Sequence, residues 1–288
     1  MSVNEMLPDP KNVLGINGIE FIEYTTKQPQ QFCMLLEKLG FVLVARHRSR
    51  EVLLFKQGDM NLIVNSDTEG LGEDDDFSEC PVISGVAFRV QNAHFAHQRA
   101  ISLGGWPIAT RASAMELNVP GIRCVGQSTI YFVDRYKDFS IYDVDFIRLP
   151  NVTVPPAIGS MNYFGLVQTA YEGCTNNWSY FYSKILGFTE LAPNQFFGIL
   201  QKGVILQSPC KSFHIQIIEP PTSDVDWDEE YLRLAFGASD ILAVSKALHD
   251  RDISFVDHEK LHTTTKGALT QPYLGGIQFE LVNNNFKG

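Results

Sequence analysis

The chain has 288 residues, 44% hydrophobic and 19% charged, the balance of a globular protein long enough to bury a full core without staples. A formal net charge of −10 with no cluster of Lys and Arg excludes a nucleic-acid footprint. No apolar run approaches the roughly 20 residues a spanning helix needs, and five scattered cysteines without a Cys-x-x-Cys pair read as reduced thiols, so the expectation is a cytoplasmic protein with no membrane partner.

In chain order, residues 18–24 alternate as a strand and Gln30 to Leu39 form an amphipathic helix stopped by Gly40. Strands follow at 41–45, 52–57 and 60–65, the last two joined by Gly58-Asp59 as a hairpin. The acidic run at residues 73–76 reads as a solvated loop. A second unit opens with a strand at 82–90, enters a helix near Asn92 that ends by Gly104, and continues with strands at 129–133 and 140–144. His94 and His97 lie three apart on that helix and read as an exposed polar face.

Residues 151–160, with Pro155-Pro156, form a linker, after which the pattern restarts. Lys184-Ile185-Leu186-Gly187-Phe188 echoes Lys38-Leu39-Gly40-Phe41, and Leu234-Ala235-Phe236 with the helix at 241–248 echoes Val86-Ala87-Phe88 with its own helix. The near-constant displacement marks a duplication. The predicted fold class is therefore α+β, with four β-α-β-β-β units paired into two domains at 14–150 and 160–288. Each paired sheet would curve into a cup able to take a ligand.

The last strand, Ile277-Gln278-Phe279-Glu280-Leu281-Val282, puts a carboxylate on an inward face, which is costly unless a metal, a cation or water compensates it. The other polar candidates on strands of the second half are Gln207, His214, Gln216 and Gln278.

This duplicated arrangement resembles the vicinal oxygen chelate (glyoxalase/bleomycin resistance/extradiol dioxygenase) superfamily. The first half resembles 4-hydroxyphenylpyruvate dioxygenase more specifically, through Leu14-Gly15-Ile16-Asn17-Gly18-Ile19-Glu20-Phe21, Gln57-Gly58-Asp59-Met60-Asn61-Leu62, Met115-Glu116-Leu117-Asn118-Val119-Pro120-Gly121-Ile122 and Ile130-Tyr131-Phe132-Val133-Asp134-Arg135. The resemblance implies that any chemistry sits in the second half. Aligned through Tyr171-Glu172-Gly173, Trp178, Phe181-Tyr182, Lys184 and Phe188, the family's two iron-binding His fall on Gly165 and Arg233, and its ligating Glu falls on Glu280. Family residues that orient the oxo acid fall on Gly203, Ile218 and Gly267.

Glycine offers no donor atom and arginine has no lone pair to give, so no metal or other cofactor is expected. Instead, Arg233 is expected to pair with Glu280. Three readings remain open. The first is a binding module for a small aromatic or carboxylic ligand among Gly165, Gln207, His214, Gln216, Arg233, Gln278 and Glu280, without the parent reaction. The second is an enzyme: a dioxygenase with Fe(II) or another divalent metal rearranged onto Glu280 and His214, or a metal-free lyase or isomerase with Glu280 as base. The third is a structural or interaction protein whose cup is filled by its own side chains, for which a plug of Phe196, Phe197 or Tyr163 would speak. Homo-oligomer formation is left open.

Overall fold

The computed structural model describes residues 9–67, 80–108, 117–193, 195, 197–199, 203–220, 228–259 and 261–285. The acidic run at 73–76, Phe196 and the 115–116 end of one motif lie outside them.

The first unit runs β1 (Ile19–Thr25), α1 (Pro29–Lys38), β2 (Val42–His47), β3 (Val52–Gln57), β4 (Met60–Asn65). The second runs β5 (Val82–Arg89), α2 (Ala93–Ser102), β6 (Gly121–Arg123), β7 (Thr129–Val133), α3 (Ile141–Asp145), β8 (Phe146–Arg148). The third comprises β9 (Asn162–Thr169), α4 (Thr175–Leu186), β10 (Thr189–Glu190), β11 (Val204–Gln207), β12 (His214–Ile218), and the fourth β13 (Tyr231–Ala238), α5 (Ile241–His249), β14 (Gly267–Leu269), β15 (Gln278–Asn283). In the fourth unit the isolated bridges Phe255–Thr270, His258–Leu261 and Tyr273–Ile277 accompany the two regular strands.

Two sheets result, ordered β6-β7-β5-β1-β4-β3-β2-β8 and β10-β11-β12-β9-β13-β15-β14. Read in reverse, the second repeats the first strand for strand, with β8 as an addition at one edge. The duplication seen in the sequence is thus a duplication of topology. Its punctuation is repeated too: Gly40 and Gly187, which end α1 and α4, both hold positive φ (95° and 76°), a conformation that glycine adopts without a Cβ penalty.

The apolar stripes of the helices face inward, with Phe32, Leu35 and Leu36 on α1, Ala96 and Ala100 on α2, Ile185 and Leu186 on α4, and Val244 and Leu248 on α5. They belong to one continuous core that also takes residues from both sheets. Ring contacts cross between the halves, Phe88 to Phe213 at 5.1 Å and Phe41 to Phe236 at 6.1 Å. The helix-bearing faces are therefore spent on packing, and the opposite faces form the cups. In the first sheet that opposite face is filled by a second cluster around Phe21, Leu54, Ile63, Ala87 and Tyr142.

One expectation fails. Residues 140–144 form a short helix, α3, rather than a strand, because Ser140 and Asp143 make a capping box that satisfies the first turn. The Ile, Tyr and Val of that stretch favour a strand; the local caps outweigh them.

Candidate functional site

All seven residues singled out in the second half lie on one face of its sheet, in two adjacent cross-strand rows. One row runs Gln207, His214, Gly165, Ala235, Glu280. The next runs Ile205, Gln216, Val167, Arg233, Gln278. Directly opposed residues share a face, so alternation along each strand assembles the cup.

Within the first row the two central positions, Gly165 and Ala235, carry almost no side chain. Two aromatic rings fill the space above them. Between the pairs Ala235–Gly165 and Phe236–Tyr163 the β9–β13 register shifts by one residue, leaving Phe164 as the extra residue of a bulge. Its ring stacks on His214 at 4.7 Å and 25°, and Phe197 closes over both, 4.8 Å from His214 and 5.0 Å from Phe164. What remains between these rings, His214, Gln216 and Glu280 is a cavity of about 20 Å³, room for a single water.

The same bulge explains Gly165. A Cβ built there would run into the backbone carbonyl of His214 on the neighbouring strand. No side chain enters at this position without moving β12. Gly203 and Gly267 are similar: a Cβ at Gly203 would meet the Ile217 carbonyl, and one at Gly267 the backbone of Leu281 and Gly198. Gly198 in turn lies against the Glu280 carboxylate.

The charged pair departs from expectation. Arg233 and Glu280 do not form an ion pair; the ion pairs among the described residues join Lys38–Asp252, Arg50–Asp67, Arg89–Glu20 and Arg148–Asp143. The Arg233 side chain stands one row away from Glu280, and its Nε has no hydrogen-bond partner. Both residues are nevertheless buried, at 8% and 2% exposure. Burial pushes the Glu280 carboxyl up from 4.5 to about 7, with Arg233 pulling back only in part. Burial lowers the Arg233 guanidinium, and Glu280 opposes that.

His214 is buried as well, which takes its imidazole from 6.5 down to about 4 against a smaller opposing effect of the Phe164 backbone. It is neutral at pH 7, with Nδ1 unpartnered and Nε2 3.4 Å from the Gln207 amide. Gln278 is occupied, donating to the Thr270 carbonyl at 2.9 Å.

Among the described residues no three His, Cys, Asp or Glu side chains stand close enough to hold a metal ion. The cup can hold or release a proton at Glu280 near neutral pH. It also offers a buried cation at Arg233. Phe164 escaped the sequence reading, although two aromatics side by side, Tyr163-Phe164, already break the alternation of β9. Tyr163 does not plug the cup: it faces the shared core and donates through Oη to the Asn61 carbonyl of the first half.

The model for the N-terminal region of hydroxyphenylpyruvate dioxygenase matches residues 10–147. The chain is 34% identical over 268 residues to Hemolysin VllY of Vibrio vulnificus, covering 86% of this chain and 74% of that protein. It is 31% identical over 278 residues to the 4-hydroxyphenylpyruvate dioxygenase of Pseudomonas aeruginosa, covering 89% and 77%. The chain belongs to the 4-hydroxyphenylpyruvate dioxygenase family. In fold it is similar to a mutant 4-hydroxymandelate synthase from Streptomyces coelicolor, with a TM-score of 0.72 at 16% identity over 95% of this chain and 94% of that one. No helix of the described residues is long and apolar enough to cross a membrane.

Proposed function

We propose that this family member does not oxidise 4-hydroxyphenylpyruvate, and that its second cup binds a small aromatic or carboxylic molecule in the place of Phe197. The observation that carries the first half is Gly165. The position aligned with an iron-binding His carries no donor, and its Cβ direction points into the backbone of the next strand. An iron held by two imidazoles and a carboxylate does not fit Gly165, Arg233 and Glu280, because only the last can donate. No step through a metal follows from these residues.

The ligand class rests on what already fills the cup. Phe197 is a ring supplied by the chain itself, partly exposed and held edge to face against Phe164. An aromatic ligand taking its place would keep those contacts, and a ligand carboxylate would find the unpaired Arg233. Truncating Phe197 to alanine removes the ring that such a ligand must displace. Calorimetric titration with phenylacetate should show binding about tenfold tighter in Phe197→Ala than in the unmodified chain. Equal affinity, or heat of binding in neither, would defeat the ligand half of the proposal.

One observation favours a second reading, a divalent ion between Glu280 and His214: both line the same small cavity. Two donors without a third make a thin site, and iron-dependent oxygen uptake separates that reading from the first.

A further inference from the structure

The larger cavity is in the other half. A cleft of about 360 Å³ opens between α2, the segment 117–121, the end of β7 and α3, against about 20 Å³ in the second cup. Only the first falls in the size range of small-molecule sites, about 300–1,000 Å³.

Its walls are apolar, with Ile108, Val119, Pro120, Phe132 and Ile141. Its rim is not: His94, His97, Asp134 and Arg135 all line it. Three of these are held by backbone contacts. Asp134 accepts from the Ala93 N–H at the start of α2 at 2.9 Å, the His97 ring sits 3.1 Å from the Gly121 carbonyl, and the Arg135 carbonyl accepts from Ile141 N at 2.9 Å. The Arg135 guanidinium makes no ion pair among the described residues. Asp134 and Arg135, neighbours in sequence and both exposed, therefore line the cleft together with its apolar wall.

We infer that this cleft binds a zwitterionic small molecule with an apolar body, of the class of free amino acids with a large aliphatic side chain. The ligand carboxylate meets Arg135, its ammonium meets Asp134, and its side chain lies on Val119, Pro120 and Phe132. Neither charge alone accounts for the rim: an anion would face Asp134 and a cation would face Arg135. A molecule carrying both satisfies both, and the cleft needs no metal.

The test is NMR titration of the full chain with three probes: L-leucine, 4-methylpentanoate, which lacks the ammonium, and 3-methylbutylamine, which lacks the carboxylate. L-Leucine should shift the His94 and His97 ring signals and the amides of Val119 and Gly121, while each half-probe binds about tenfold more weakly. Arg135 is exposed, so Arg135→Gln should leave the fold intact, weaken L-leucine and 4-methylpentanoate by about the same factor, and leave the amine unchanged. Equal binding of all three probes, no shift at the cleft, or no loss in Arg135→Gln would overturn the inference.

Discussion

Gly165→Ala is expected to destabilise the fold by about 2–3 kcal/mol, lowering Tm by about 5 °C. The usual direction of a glycine-to-alanine change inside a strand is the opposite, since alanine loses less backbone entropy. Here the added methyl would meet a backbone carbonyl, that of His214, which cannot swing away as a side chain could. β12 must shift, and with it the contacts of His214 to Phe164 and Phe197. Thermal melts of the variant against the unmodified chain decide the matter; an unchanged or higher Tm would mean that the strand yields freely. Any larger side chain at this position, a histidine included, meets the same obstacle.

Glu280→Gln is expected to stabilise the protein above pH 7 and to leave it unchanged below pH 4.5. The folded-state value of Glu280 is raised from 4.5 to about 7. Between those values the native state holds a proton that the unfolded state has released, so stability falls as pH rises through this window. The full penalty, about 3 kcal/mol, applies above pH 7, and the neutral amide escapes it. The Tm difference between variant and parent should therefore grow with pH, to about 5 °C at pH 8. A flat difference across the window would show that Glu280 ionises without cost in the cup. His214 works in the other direction: its value is lowered to about 4, so its contribution is whole above pH 6.5 and is lost as pH falls through 4.

Much of this was readable from residues alone. The echo of Leu39-Gly40-Phe41 in Leu186-Gly187-Phe188 predicted the duplication, and the matching sheet orders bear it out. Alternation put Glu280 on an inward face but left His214 open to either face; it is the pairing of β11, β12, β9, β13 and β15, with its period of two, that sets the candidate residues on one face. What filled the cup was not readable. Phe164 reaches it through a bulge, a one-residue offset that depends on how β9 and β13 pair rather than on either sequence. Phe197 comes from an irregular segment with no periodicity to read. The distance between Arg233 and Glu280 escaped for a similar reason. Alignment gives the order of positions, but the register sets Arg233 opposite Gln278 and Ala235 opposite Glu280. The cleft beside α2 was hidden because His94 and His97 are exposed or half-exposed on a helix, and only the fold brings Asp134 and Arg135 to them.

The central claim is that this family member has kept the acid of an iron site without the imidazoles. Ferrous-iron-dependent oxygen uptake with 4-hydroxyphenylpyruvate tests it most directly, with an oxygen electrode and the full chain supplied with iron and ascorbate. The account predicts uptake no faster than the same mixture with Glu280→Ala. Sustained uptake that requires one equivalent of iron and disappears in Glu280→Ala would contradict it.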